Sequence, residues 1–196
     1  MKYMKQFTEE FSKKPAFGID EVKAFLGRRN ASEGYSKLLI QNLLKSGRIY
    51  KITRGAYTFY DEVQYVGFAF LPFYYGLEDA LSLRGLWDQE TNPVIITPRK
   101  VRNGIRQFDF RNYLVRRINR NMFFGYTLLK YEQFYIPVSD VEKTLIDLVY
   151  FGIRVPDDVI STMIRKLNRE TFNSYLSELP KWLSNRTRII VRKKKW

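Results

Sequence analysis

Apolar residues recur every three or four positions through the first third of the chain, and residues that stop helices interrupt the recurrence. Phe7 and Phe11, with Met4 on the same side, predict a helix over about 2–13 that Pro15 ends. In "GIDEVKAFLG" (18–27), Asp20 can cap the start, Val22, Phe25 and Leu26 form an inner face, and Gly27 stops the helix. "SEGYSKLLIQNLLKSG" (32–47) carries Tyr35, Leu39, Ile40 and Leu43 on one stripe and ends at Gly47. The period then changes. In "KSGRIYKITRGAYTFYD" (45–61), Ile49, Ile52, Ala56 and Tyr57 share the chain with Arg48, Lys51 and Arg54. That pattern predicts a short β-hairpin with an apolar inner face and a cationic outer one, and Gly55 permits its tight turn.

The remaining two thirds alternate helices and strands. "VGFAFLPFYYGL" (66–77) reads as a buried strand or linker entering a core, and "YYGLEDALSLRGLWDQ" (74–89) as a helix stopped by Gly85. "NPVIIT" (92–97) predicts a buried strand. In "RNGIRQFDFRNY" (102–113), Asn103-Gly104 is a hairpin-turn signal, followed by Phe108 and Phe110 alternating with charged residues. "YTLLKYEQFYIPV" (126–138) predicts further strand, and in "SDVEKTLIDLVYFG" (139–152) Ser139 and Glu142 have capping-box spacing at a helix start. Ile160, Met163, Ile164 and Leu167 predict a further helix, as do Phe172, Tyr175, Leu176 and Leu179, and "NRTRIIVRKKKW" reads as a basic tail. The expected fold is α/β (α+β), with a winged helix-turn-helix over 1–62 and a mixed sheet flanked by helices over 63–196.

Charge sharpens this outline. Lys and Arg number 34 against 20 Asp and Glu, a formal net charge of +14 in 196 residues. Such a field attracts polyanions, with nucleic acid first among them. The chain has no cysteine and no histidine, which excludes disulfides, thiolate metal sites and Ser-His or Cys-His catalysis. Its longest apolar run is too short to span a bilayer, and with no export signal visible the expected location is cytoplasmic.

Three helices followed by a basic hairpin are the parts of a winged helix, whose third helix enters the major groove while the hairpin follows phosphate. On that helix Ser32, Glu33, Ser36, Lys37 and Gln41 lie off the apolar stripe, and Ser32, Ser36, Lys37 and Gln41 are the candidates for base edges and phosphates. Glu33 ranks below them because it would repel phosphate. On the wing, Arg48, Lys51 and Arg54 are the phosphate candidates, and Tyr57 and Tyr60 can pack or bond phosphate. A solvated helix face is the plainer explanation of the same residues. A second basic surface comprises Arg99, Lys100, Arg102, Arg106, Arg111, Arg116, Arg117 and Arg120 against a single acid, Asp109. Guarded strand edges would explain it, as would contact with DNA, RNA or an acidic partner.

The ordered motifs "LLKSGRIYKITRGAYTFY", "YYGLEDALSLRGL", "VIITPRKVR", "FFGY" and "DVEKTLIDLVYFG" resemble those of the AbiEi antitoxins of type IV toxin–antitoxin systems, over residues 18–155. The resemblance implies an N-terminal winged helix that binds double-stranded operator DNA of its own operon as a repressor. It also implies a C-terminal antitoxin domain that counteracts an AbiEii-type nucleotidyltransferase toxin without necessarily forming a stable complex. The chain departs from the family in lacking histidine and in its short C-terminal helical part. The alternative is a solitary regulator, or an interaction module, without a toxin partner.

An enzyme is not expected. Asp140, Glu142, Lys143 and Asp147 are the residues to weigh as a magnesium cluster, but the first two suit a helix N-terminus without any chemistry. Asp147 lies about 10 Å from Asp140 at 1.5 Å per residue. "GRRNASEG" lacks the Lys-Ser ending of a phosphate loop. No cofactor, metal or membrane partner is expected.

Overall fold

Phe7 and Phe11, one helical turn apart, stack their rings at 4.5 Å between centroids, and both edges meet Phe25. These contacts belong to the first of two compact units in the computed structural model, which describes residues 3–32 and 34–193. The first unit contains the described residues up to Leu71 together with Arg106–Tyr113; the second contains Pro72–Ile105 and the described residues from Leu114 onward. Lys2, at the start of the first expected helix, and Glu33 lie outside the described residues.

In the first unit, helices α1 (Met4–Phe11), α2 (Ile19–Gly27) and α3 (Tyr35–Lys45) enclose a core that includes Phe7, Phe17, Phe25, Leu39 and Leu43. Strands β1 (Phe17–Gly18), β2 (Tyr50–Thr53) and β3 (Ala56–Thr58) form an antiparallel sheet in the order β1-β3-β2. Ile49 joins this core just before β2, and Ile52 is the buried residue of β2 itself. Helix α2 is capped by Gly18 and Glu21 rather than by Asp20: the Glu21 carboxylate accepts from the Gly18 N–H at 2.8 Å. A 3₁₀ segment, Val63–Phe70, follows the wing, so this part of the apolar run is neither strand nor linker.

The second unit is built on a mixed sheet of β4 (Tyr74–Tyr75), β5 (Val94–Thr97), β6 (Gly104–Phe108), β7 (Arg111–Arg117), β8 (Tyr126–Tyr131) and β9 (Phe134–Ser139), in the order β6-β7-β5-β4-β9-β8. The tip of the β6–β7 hairpin groups with the first unit, where the Tyr113 hydroxyl donates to the Ile52 carbonyl at 3.2 Å. Helices α4 (Leu77–Leu83), α6 (Asp157–Lys166), α7 (Arg169–Glu178) and α8 (Lys181–Lys193) pack around α5 (Val141–Phe151). The fold is α+β.

Several local expectations change. Tyr74 and Tyr75 are strand rather than helix, because they pair with Ile96 and Ile95 of β5. Asn103-Gly104 is not the hairpin turn: the chain reverses at Asp109, whose φ is 53°, while the Asn103 side chain accepts from the Arg117 N–H at 2.6 Å. The stretch 126–138 is two strands reversing at Glu132, with φ 48°. Asp140, not Ser139, caps α5 by accepting from the Lys143 N–H at 2.7 Å, which leaves the Ser139 hydroxyl 2.7 Å from that of Thr144. The basic tail is helical as far as Lys193, since Leu183, Thr187 and Val191 recur every four residues and are buried. Residues 194–196 lie outside the described residues.

Candidate nucleic-acid interface

Helix α3 stops where its sequence says it should. Its C-terminal turn ends at Ser46, and Gly47 takes φ 64°, a left-handed conformation that costs glycine little. The chain then enters β2 through Arg48, whose N–H donates to the Leu43 carbonyl at 3.0 Å. The wing pairs Tyr50 with Thr58, Lys51 with Tyr57 and Thr53 with Ala56, shifting register between Lys51 and Thr53. Its turn is Arg54-Gly55, with Gly55 at φ 78°. The Gly55 carbonyl accepts from the Ile19 N–H at 2.8 Å, fixing the wing's tip to the start of α2.

Of the candidates on α3 and before it, Ser32, Lys37 and Gln41 are exposed. Ser36 is not. It is only 3% exposed and lies on the inner face, three and seven residues before Leu39 and Leu43, so the expectation of an exposed Ser36 is corrected by helical geometry. Two exposed residues of the same face escape a reading by polarity and motif, Leu38 and Lys45. Lys37, Gln41 and Lys45 recur every four residues, and that spacing is the signal that could have found Lys45. Arg48, Lys51 and Arg54 are all exposed. Tyr60 is used by the fold, since its hydroxyl donates to the Ser12 carbonyl and its ring meets Tyr65 edge-on at 5.4 Å. Tyr57 lies tilted against Phe17 at 6.0 Å.

Ion pairing separates two groups of cations in this unit. Lys14 pairs with Glu21, Lys23 with Asp20, and Arg28 and Arg29 with Glu10. Lys37, Lys45, Arg48, Lys51 and Arg54 have no ion-pair partner among the described residues. Lys5 on α1 and Lys13 after it are exposed and likewise without an ion-pair partner among the described residues. The offset charge is thus that of Lys14, Lys23, Arg28 and Arg29, while the run of cations on α3 and the wing is open to an external anion.

The second basic cluster divides. Arg106 and Arg111 belong to the first unit, where the Arg106 guanidinium lies 5.0 Å from the centre of the Phe70 ring and Arg111 is 3.9 Å from Glu62. In the second unit the Arg116 guanidinium lies over Phe151 at 5.9 Å, and Arg102 is exposed. Arg99, Lys100, Arg117 and Arg120 are brought together where β5 and β7 leave the sheet.

The carboxylates on α5 are committed to the fold. Asp147 is fully buried, ion-paired with Lys143, and accepts from the Tyr74 hydroxyl at 2.8 Å. Burial pushes the Asp147 carboxyl up and the Lys143 ammonium down from their ordinary values. The second oxygen of Asp140 accepts from the Tyr175 hydroxyl at 2.8 Å, and Glu142 accepts from the Asn168 N–H. Among the described residues no group of three metal-ligating side chains comes together. Nor is any helix among them long and apolar enough to cross a membrane.

Neither a protein-family model nor a curated protein matches the chain. Among solved structures, the chain is similar to the crystal structure of the RV2827C protein from Mycobacterium tuberculosis, with a TM-score of 0.64 at 12% identity. The alignment covers 97% of this chain and 75% of that one. At that identity the likeness is one of fold.

Proposed function

We propose that the first unit binds double-stranded DNA, with α3 in the major groove and the wing along flanking phosphate, and that the protein represses its own operon. The carrying observation is a cluster of unpaired cations: among the described residues Lys37, Lys45, Arg48, Lys51 and Arg54 have no carboxylate partner, whereas Lys14, Lys23, Arg28 and Arg29 each have one. Lys37 and Gln41 have the chemistry to read base edges, Leu38 can meet a thymine methyl group, and Arg48, Lys51 and Arg54 can neutralise phosphate. The test is a gel-shift titration of the full chain on its own upstream region against random duplex. Preference for the upstream region is expected, and equal binding would defeat the repressor reading.

The motif resemblance supports a finer reading, in which the second unit is an antitoxin of the AbiEi type acting against an AbiEii-like nucleotidyltransferase without itself being an enzyme. A nucleotidyltransferase reading frame beside this gene, and rescue of growth when the two are co-expressed, are the expected results. Toxicity undiminished by co-expression would remove the antitoxin function and leave the alternative of a solitary regulator.

A further inference from the structure

Strands β5 and β7 run parallel, with Val94 opposite Leu114 and Thr97 opposite Arg117, so both chains leave the sheet at the same end. Beyond the carboxyl ends of parallel strands the departing loops diverge, and the crevice between them is where such sheets take small ligands. Here the departing segments are held firmly. The Thr97 hydroxyl donates to the Pro72 carbonyl at 2.7 Å and accepts from the Arg99 N–H at 3.2 Å. The Ile118 N–H donates to the Thr97 carbonyl at 3.0 Å, and Asn119 caps the 3₁₀ turn Arg120–Met122 by accepting from the Asn121 N–H at 3.0 Å.

Two clefts open at this end and share Pro98 and Arg120. One, of about 320 Å³, is lined by Pro72, Pro98, Arg99, Arg120 and Phe123. The Phe123 ring is fixed by Tyr74 and Tyr126, at 5.3 and 5.2 Å. The other, of about 490 Å³, presents Lys100, Arg117, Asn119 and Arg120. Among the described residues neither lining includes a carboxylate. Lys100, Arg117 and Arg120 have no ion-pair partner among the described residues.

An apolar slot walled by a ring and two prolines suits a flat heterocycle. Two arginines, a lysine and an amide suit the oxygens of a phosphate chain, which guanidinium groups bind through paired hydrogen bonds. Arg120 stands where the two compartments meet. We propose that this end of the sheet is a nucleotide site, with the base against Phe123 and Pro98 and the 5′-phosphates on Lys100, Arg117 and Arg120. A base already paired and stacked in a duplex cannot enter such a slot, so the ligand is a free nucleoside triphosphate or the 5′-phosphorylated end of a single strand. The site uses none of the residues assigned to DNA binding.

Calorimetric titration of the full chain tests this with four kinds of probe: each nucleoside triphosphate, inorganic tripolyphosphate, a single-stranded RNA tetramer with and without a 5′-phosphate, and blunt duplex DNA. Saturable binding of a nucleotide unit is expected, weakened about tenfold or more by Arg120→Glu or by Lys100→Glu/Arg117→Glu, substitutions at exposed positions. It should be unchanged by Arg54→Ala, which keeps this outcome separate from the fate of the operator reading. Tighter binding of the free triphosphate identifies a small-molecule ligand; tighter binding of the 5′-phosphorylated tetramer identifies a strand end. Tripolyphosphate binding as tightly as the nucleotides, duplex competing equally, or no saturable binding would each overturn the proposal. Circular dichroism confirms that the variants are folded.

Discussion

Lys143 and Asp147, one turn apart on α5, form an ion pair in which neither side chain has any exposure. The Lys143 ammonium also lies 5.4 Å from the Tyr74 ring centre and 5.1 Å from that of Phe124, while Tyr74 donates to Asp147. Removing one partner strands a buried charge, so Lys143→Met alone should cost ~3–5 kcal/mol of stability. In the double variant Lys143→Met/Asp147→Asn the charge is gone, and the introduced amide can still accept from Tyr74, so most of that loss should be recovered. Urea denaturation of the two variants and wild type checks this. A double variant no more stable than Lys143→Met would mean that the stranded charge of Asp147 is not the source of the loss.

Glu142 gives a prediction in pH. Burial pushes its carboxyl above the ordinary value, more than the Asn168 N–H pulls it back. A carboxyl whose folded pKa is raised favours the folded state in its protonated form. That contribution is present below the ordinary value and is lost as pH rises through the folded one. Glu142→Gln keeps an acceptor for Asn168 without the charge. It should raise Tm at pH 7, with the advantage shrinking as pH falls toward 4, as read by thermal melts of both proteins across that range.

Division of labour in DNA binding should be visible in paired measurements. Gln41→Ala should lose ~1–3 kcal/mol of discrimination between operator and random duplex if it reads a base bidentately. Arg54→Ala should weaken both alike and flatten the salt dependence by about one unit of slope. The two effects, measured by gel shift over a salt series, should not interchange. If they do, α3 and the wing have been given each other's roles.

The wing turn tests backbone geometry by itself. At φ 78° Gly55 occupies a conformation that costs an L-residue ~1–2 kcal/mol, and an added Cβ would sit 3.3 Å from Cγ2 of Ile19. Gly55→Ala should therefore be destabilising, and Gly55→Asn less so, because asparagine tolerates the left-handed region. Equal losses in chemical denaturation would show that the contact with Ile19, not the dihedral angle, sets the cost.

What could be read ahead of the structure was what depends on near neighbours. Helices α1 to α3 and the wing carry apolar periods that fix which face turns inward, and Gly47 marks its stop by conformation alone. Ser36 shows how such a reading fails: its polarity argues for the outside, yet its place three residues before Leu39 puts it inside. Tyr74 and Tyr75 fall in two overlapping readings, the end of a buried strand or linker and the start of a helix, and only pairing with β5 and β9 decides for strand. The expected second basic surface contains Arg99, Lys100, Arg117 and Arg120, but not the fact that these four separate from its other members and line adjoining clefts. That grouping arises from β5 lying parallel beside β7, and the composition of the intervening residues says nothing about that neighbour.

The tip of the β6–β7 hairpin has a consequence for biosynthesis. Because Tyr113 closes the first unit by donating to the Ile52 carbonyl, that unit is discontinuous in the chain. A ribosome that has released residues up to Leu71 has delivered the three helices and the wing, but not the hydroxyl that Ile52 awaits. The first unit therefore reaches its final form only after residues 72–105 of the second unit have been synthesised. Its maturation is tied to translation of the partner unit, and a transcript cut short before codon 113 cannot yield a complete wing support.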